Sequence, residues 1–380
     1  MRKKPALPCT GRTAIEGFDV FLKTELNDSR GNIKKLASEL SIITGDAQVT
    51  LVNSGSSANL TAAILVKQRC GSRKRVLMAG FSFPTTISSF TLQGFEVELV
   101  DTEADGFNLD PAALAQAIGD DVAAVVVTHF LGFPARLAQI SDLCRKHGSL
   151  MVQDACETMN LQADGRTIYE YGDVITHSFY HPHHLSAFGG GVVATRSKEL
   201  HDQLQSIMHW GRECRCHYDP AACTAPQGLN HNFWYVREGV NLELSELNAC
   251  FARWQLRTWQ QQERLRWEHW RTWTNALSGI SGVQTWPADQ NISPFVFPIA
   301  VDASRFAELT DAIQTAGVEV RSLMGGAIHR HPAYHHLGHE RLKQCERTGS
   351  RSFFVGIHQT LTRQQVAEAS SIVHRILSQP

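Results

Sequence analysis

Seven short runs of apolar residues in the first half of the chain limit its fold more than any other feature. They are QVTLVNS (48–54), RVLMAG (75–80), EVELVD (96–101), AAVVVTHF (123–130), LMVQDA (150–155), VITHSFY (174–180) and GGVVATR (190–196). Several are apolar at nearly every position, the pattern of a strand covered on both faces in a largely parallel sheet. Between some of them lie stretches with helical spacing, such as SANLTAAILVKQRC and LAQISDLCRKHG. The second ends in Lys-His-Gly, as a helix C-terminus should. The alternation predicts an α/β domain.

At 380 residues the chain has room for a second, smaller domain. Residues 201–240 read as an irregular excursion rich in Cys, His, Asn and Pro. A long helical run follows at 245–277. Its five tryptophans invite comparison with an aromatic cofactor box, but Trp on a long amphipathic helix more often supplies packing area. Beyond 290, FVFPIAV, GVEVRSL and a helix at 363–377 suggest a second α/β unit. The expected division is an N-terminal arm (1–45), a large cofactor-binding domain (46–245), a connecting helix (246–285) and a small C-terminal domain (286–380).

Composition sets the outer limits. The net charge of -1 favours neither nucleic acid nor an acidic membrane as a partner. The start, MRKKPALPCTGR, lacks the apolar run of a signal peptide, and no apolar segment approaches the ~20 residues that span a bilayer. A cytoplasmic protein is expected. Nine cysteines then point to free thiols or metal ligands, not to a disulfide framework.

Three stretches carry chemistry. NSGSSANL (53–60) joins the first strand to a helix, where small residues and Ser hydroxyls suit an anion, or simply cap the helix. VQDACE (152–157) ends a buried strand in Asp154, at the edge where open α/β sheets place ligands; an N-cap is the plainer alternative. HSFYHPHHL (177–185) puts His181, His183 and His184 in one turn, His183 five residues after Ser178.

In this order, with the aromatic loop GFSFPTT, the motifs resemble the fold-type I pyridoxal-phosphate enzymes, specifically the sugar aminotransferase and dehydratase family (DegT/DnrJ/EryC-like) acting on nucleotide-linked keto sugars. HFLGFPA (129–135), REGVNLELSELNA (237–249), RSLMGGAIHRHPAY (321–334) and FFVGIHQTLT (353–362) extend the resemblance over most of the chain. It implies a mainly parallel seven-stranded sheet with helices on both faces plus a smaller C-terminal α/β domain. It also implies that Ser56, Ser57 and Ser178 hold the cofactor phosphate, that Phe83 stacks on the pyridine ring and that Asp154 pairs with the ring nitrogen. Asn241 would reach the phosphate of a neighbouring subunit, so a homodimer is expected. The family's lysine falls on His183. Imidazole forms no stable covalent tether, so the working cofactor would be pyridoxamine phosphate (PMP) rather than tethered pyridoxal phosphate (PLP). His183, with an ordinary pKa of about 6.5, would be the base that moves the C4′ proton; His184 is the alternative. Arg321, His329 and Arg330 would contact the substrate diphosphate.

Cys156, Cys214, Cys216 and Cys223 form a further set, separated by 57, one and six residues. Four thiolates suit a [2Fe-2S] cluster or zinc, and spacing alone does not choose. With the phrase WGREC.C, the set is similar to the iron–sulfur 3-dehydrases of CDP-linked 6-deoxy-4-keto-hexoses, which have seven residues before the last cysteine. That likeness implies a flavin- and iron–sulfur-containing reductase, or a ferredoxin, as electron donor. A cluster-free dehydratase using glutamate and a non-catalytic binding protein are the rivals. FGGG (188–191) where the family has GEGG, a divergent N-terminal segment and GGAIHRHP all bear on the substrate pocket.

Overall fold

The computed structural model describes residues 7–10, 15–25, 31–104, 106–213, 225–287, 291–323 and 326–379. Each apolar run of the sequence is a strand: β1 (Gln48–Val52), β2 (Arg75–Ala79), β3 (Glu96–Val100), β4 (Val122–Thr128), β5 (Leu150–Asp154), then, after a short hairpin of β6 (Gln162–Ala163) and β7 (Arg166–Thr167), β8 (Val174–Ser178) and β9 (Gly191–Thr195). They form one sheet in the order β1-β9-β8-β5-β4-β2-β3, the hairpin standing apart. β9 runs antiparallel to both β1 and β8, and the other pairings are parallel. All strands but β9 therefore point the same way. The ends of β1, β8 and β5 and the start of β9 meet at one edge, and this convergence positions the site.

Alternate strand residues serve two cores. Leu51, Leu77 and Val125 face the side covered by α2 (Gly31–Ile43), α5 (Pro111–Ala117), α6 (Leu137–His147) and α8 (Glu246–Leu256). Val52, Val76 and Val126 face α3 (Gly55–Arg69), α4 (Pro84–Thr91) and α7 (Lys198–Met208). The first helix, α1 (Phe18–Glu25), lies against α8 through Phe18 and Phe251.

A second sheet joins β10 (Gln284–Thr285), β11 (Phe297–Ala300), β13 (Ser352–Val355) and β12 (Arg321–Ser322), all antiparallel. Its core takes Trp270 and Trp273, with residues of α10 (Phe306–Thr315) and α12 (Arg363–Leu377), while α11 (Lys343–Arg351) leads into β13. The helix expected at 363–377 is present, started by a Thr362–Gln365 capping box.

Two expectations need correction. Residues 198–208, read in part as irregular, are α7; Ser197 caps it, and Leu200, Leu204 and Ile207 line its buried stripe. The run 245–277 is two helices, with a break at Arg257–Thr258 before α9 (Trp259–Leu277). The physical reason is a change of partner: α8 packs on the first core and α9 on the second. The tryptophans are packing residues, Trp270 and Trp273 being fully buried. Among the described residues no helix is long and apolar enough to cross a membrane.

Candidate active site

The turn between β1 and α3 is both a cap and a cup. Ser54 is the N-cap of α3, its Oγ accepting from Ser57 N (3.0 Å) and donating to Ser57 Oγ (2.9 Å). Ser57 Oγ donates in turn to Asn53 Oδ1 (2.5 Å), and Ser56 Oγ pairs with Thr85 Oγ1 (2.8 Å). The turn thus sets three serine hydroxyls beside the N-terminus of α3, an arrangement that favours a phosphate. Gly55 is required by close approach: a Cβ there would lie 2.5 Å from Ser178 Cβ and 3.2 Å from Cys156 Sγ. Gly55→Ala should therefore push α3 off β8, costing about 1–3 kcal/mol. A thermal midpoint unchanged from wild type would contradict that packing.

Asp154 ends β5 and is 3% exposed. No helix starts after it, so the N-cap reading fails. Its Oδ2 accepts from Asn59 Nδ2 (3.0 Å) and Thr86 Oγ1 (2.6 Å), and its Oδ1 from Cys156 N (3.2 Å). Asn59 is held by Thr176 Oγ1 (2.7 Å). Neither Asn59 nor Thr86 stood out in the sequence. Asn59 sits four residues beyond Gly55 on α3, so helical spacing from the anion turn is the signal that could have found it. Phe83 caps α4 at the end of the β2 loop and stays 47% exposed, its ring available to a ligand.

The histidine turn follows Ser178. His183 stacks on Phe295, with centroids 5.5 Å apart and planes inclined at 18°. Its Nδ1 is buried with no hydrogen-bond partner. Burial pushes its pKa down to about 3, with Asp154 opposing and Arg266 reinforcing the shift. The half-buried ring is thus pushed below the ordinary imidazole value of about 6.5. His184 is 5% exposed, and its Nε2 lies 3.1 Å from Pro294 O. His181 is exposed.

The other candidates divide. Arg321, whose guanidinium is paired with Glu319 (2.7 Å), lines a cavity of about 580 Å³ together with Glu157, Leu131 and Phe306. Glu157, which the sequence reading passed over, is 7% exposed; burial raises its pKa to about 8, and it accepts from Leu131 N (2.7 Å). His329 and Arg330 lie instead against Glu346, at 2.8 and 3.6 Å. Asn241 is exposed and bridges His209, next to Asn53, whose N–H donates to Leu242 O (2.8 Å).

Cys156 sits beneath Gly55 and Ser178, its thiol pushed well above the usual range by burial and by Asp154. Cys214, Cys216 and Cys223 lie outside the described residues. Among the described residues no group of three or more His, Cys, Asp or Glu is placed to hold a metal ion. Arg212, two residues before Cys214, is bridged to Tyr235.

A buried strand-end carboxylate, a serine-lined helix start and the turn after β8 thus converge at one edge of the sheet. The profile of the DegT/DnrJ/EryC1/StrS aminotransferase family matches residues 9–374. The chain belongs to that family. Among its relatives, the dTDP-4-dehydro-2,6-dideoxy-D-glucose 3-dehydratase of Saccharopolyspora spinosa is 30% identical over 88% of this chain and 78% of its own length. The dTDP-4-amino-4,6-dideoxy-D-glucose transaminase of Shigella dysenteriae is 26% identical over 71% of this chain and 68% of its own. The fold is that of the E. coli GDP-4-keto-6-deoxy-D-mannose 3-dehydratase solved with hydrated PLP, with a TM-score of 0.87 at 18% identity over 98% of this chain and all of that one. Members of the family thus include both sugar 3-dehydratases and aminotransferases, on the fold-type I PLP architecture.

Proposed function

We propose that this protein is a PMP-dependent 3-dehydratase of a nucleotide-linked 4-keto-6-deoxyhexose. Its electrons would come one at a time through a [2Fe-2S] cluster from a flavin/iron–sulfur reductase or a ferredoxin. The observation that carries the reading is His183: an imidazole with a buried, unpartnered Nδ1 in the turn after Ser178, where a tethering amine is expected.

The site fits the coenzyme. Ser56, Ser57, Ser178 and the α3 N-terminus would hold its phosphate, with Asn241 of the partner subunit completing the cup in a homodimer. Phe83 would cover the ring, and Asp154, fixed by Asn59 and Thr86, would pair with its nitrogen. When bound, the coenzyme supplies an amine for the substrate ketone and a sink for electrons.

His183 would accept the C4′ proton. Only a neutral imidazole can do so, and the negative charge of a bound coenzyme would raise its basicity from the low value of the cofactor-free protein. His184 is less suited, because Pro294 O and Ser293 already engage its Nε2. Arg321, facing the large cavity, would meet the diphosphate, with His329 and Arg330 further along the same segment. In net terms the substrate's C3–O bond breaks, a C–H bond replaces it, and the hydroxyl leaves as water with two electrons and two protons consumed.

Cys156, Cys214, Cys216 and Cys223 would hold the cluster. A thiol pushed up by burial and Asp154 must lose its proton to ligate, so assembly should release protons and favour higher pH. Protein purified without oxygen should contain about two irons and two sulfides per chain and consume one reductant pair per deoxygenated sugar. An iron-free protein with zinc at the cysteines would end the cluster proposal, and turnover with glutamate alone would establish the cluster-free dehydratase. An inert mixture with reductase supplied would favour a binding role.

A further inference from the structure

A lysine bonded to its coenzyme is held in place by that bond. An imidazole has no such tether, and a catalytic group must be fixed within a fraction of an ångström by packing and hydrogen bonds. With Nδ1 unpartnered, His183 depends on what touches its ring. Phe295 lies parallel to it, and Tyr180 meets it edge-on at 6.5 Å.

Phe295 belongs to a short segment, Ser293–Phe295, that leads into β11. This segment is tied to three separate turns at the catalytic edge of the large sheet. Ser293 N donates to Gly132 O (2.8 Å), in the turn after β4. Ser293 Oγ donates to Met159 O (2.6 Å) and accepts from Met159 N (2.9 Å), after β5. Pro294 O meets His184 Nε2 (3.1 Å), after β8. A side chain at Gly132 would collide with the Ser293 carbonyl, so the segment lies hard against that turn.

Arg266 of α9 clamps it from the other side. Its Nη1 donates to Pro294 O (3.3 Å) and Phe295 O (2.9 Å), and its Nε to Gln359 Oε1 (3.0 Å). Arg266 is 1% exposed, and among the described residues no carboxylate lies within ion-pair distance. A buried guanidinium without a counter-charge is costly, and packing alone would be served better by an apolar side chain. Burial lowers its pKa to about 9, a measure of that cost.

We infer that Phe295 is a positioning residue for His183 and Arg266 its anchor, the Ser293–Phe295 segment doing for the imidazole what a covalent bond does for a lysine. This rests on reading His183 as the base. Because β11 follows directly, the base is also set by the placement of the smaller sheet, which carries Arg321.

The test compares Phe295→Leu, Phe295→Tyr and Arg266→Lys with wild type. The readouts are steady-state turnover of a 4-keto sugar nucleotide and the imidazole resonances of the cofactor-free protein, with His183 assigned by its loss in His183→Asn. Charged or titratable groups facing His183 are Asp154, which favours the imidazolium, and Arg266, His177 and His181, which oppose it. Phe295→Leu should lower kcat by about 10- to 100-fold, within the range a displaced catalytic group costs, leaving KM little changed. It should also broaden the His183 signal and move its midpoint up towards the free-imidazole value. Phe295→Tyr should restore most of kcat, and Arg266→Lys should shift both readouts in the same direction as Phe295→Leu. A Phe295→Leu protein with unaltered kcat and an unaltered His183 signal, whatever its melting temperature, overturns the inference. Full activity in His183→Asn would instead defeat the base assignment, and the resonance comparison would still decide whether Phe295 orients the ring.

Discussion

A His183→Lys protein is expected to turn yellow with pyridoxal phosphate and to lose dehydration by a factor of about 10³ or more, the range over which removal of a general base is felt. The surroundings of the half-buried His183 press its imidazole down to a pKa of about 3. The same burial would favour the neutral form of a lysine amine, which is the nucleophilic one. Phe295 on one side and Asp154 across the site leave the new side chain facing the coenzyme position. A covalent link should then form, visible as a long-wavelength band that survives dialysis and becomes permanent on borohydride reduction. A colourless His183→Lys protein that still deoxygenates its substrate would place the base elsewhere. His184 would then need release from Pro294 O before it could serve.

How much of this was legible beforehand depends on the range of the interactions. Strand runs such as AAVVVTHF declare themselves because burial on both faces is written in consecutive residues. Asp154 and the Ser54–Ser57 turn declare themselves because a strand end and a helix start are local events. Asn59 and Thr86 do not, since each is one polar residue on a helix whose meaning comes from Asp154, 95 and 68 residues away. Arg266 and Phe295 are harder still. Arg266 looks like an ordinary surface charge on a Trp-rich helix, and only the tertiary fold shows that α9 turns it inwards against the Pro294 and Phe295 carbonyls. The break at Arg257–Thr258 escapes for a related reason: helical periodicity continues across it while the packing partner changes. Glu157 lies three residues beyond Asp154, yet its burial and its bond to Leu131 N, 26 residues away, emerge only in the fold.

Those buried imidazoles have a further consequence, for stability against acid. In the cofactor-free protein His129, His177 and His358 are pushed down to about 4 and His183 to about 3, burial being the leading cause in each. An unfolded chain binds protons at these groups from about pH 6.5 downward, whereas the native state refuses them until about pH 4. Between those limits the unfolded state holds more protons, so stability falls as pH falls. Each group forfeits about 2 kcal/mol by pH 5, at 1.36 kcal/mol per unit. Glu157 acts in the opposite sense. Its carboxyl is raised to about 8, so the native state holds a proton that the unfolded chain releases above about pH 4.5. Going from pH 7 to pH 5 it therefore returns about 3 kcal/mol. Glu103, Asp173 and Glu263, also raised by burial, act with Glu157, while His184 and His269, lowered by burial, act with the other histidines. Denaturant unfolding at a series of pH values should show a steep loss below pH 6. Glu157→Gln, which removes the opposing group, should make that limb steeper. A stability that stays level from pH 7 to pH 5 would mean that these imidazoles are hydrated, and with them the turn that holds His183.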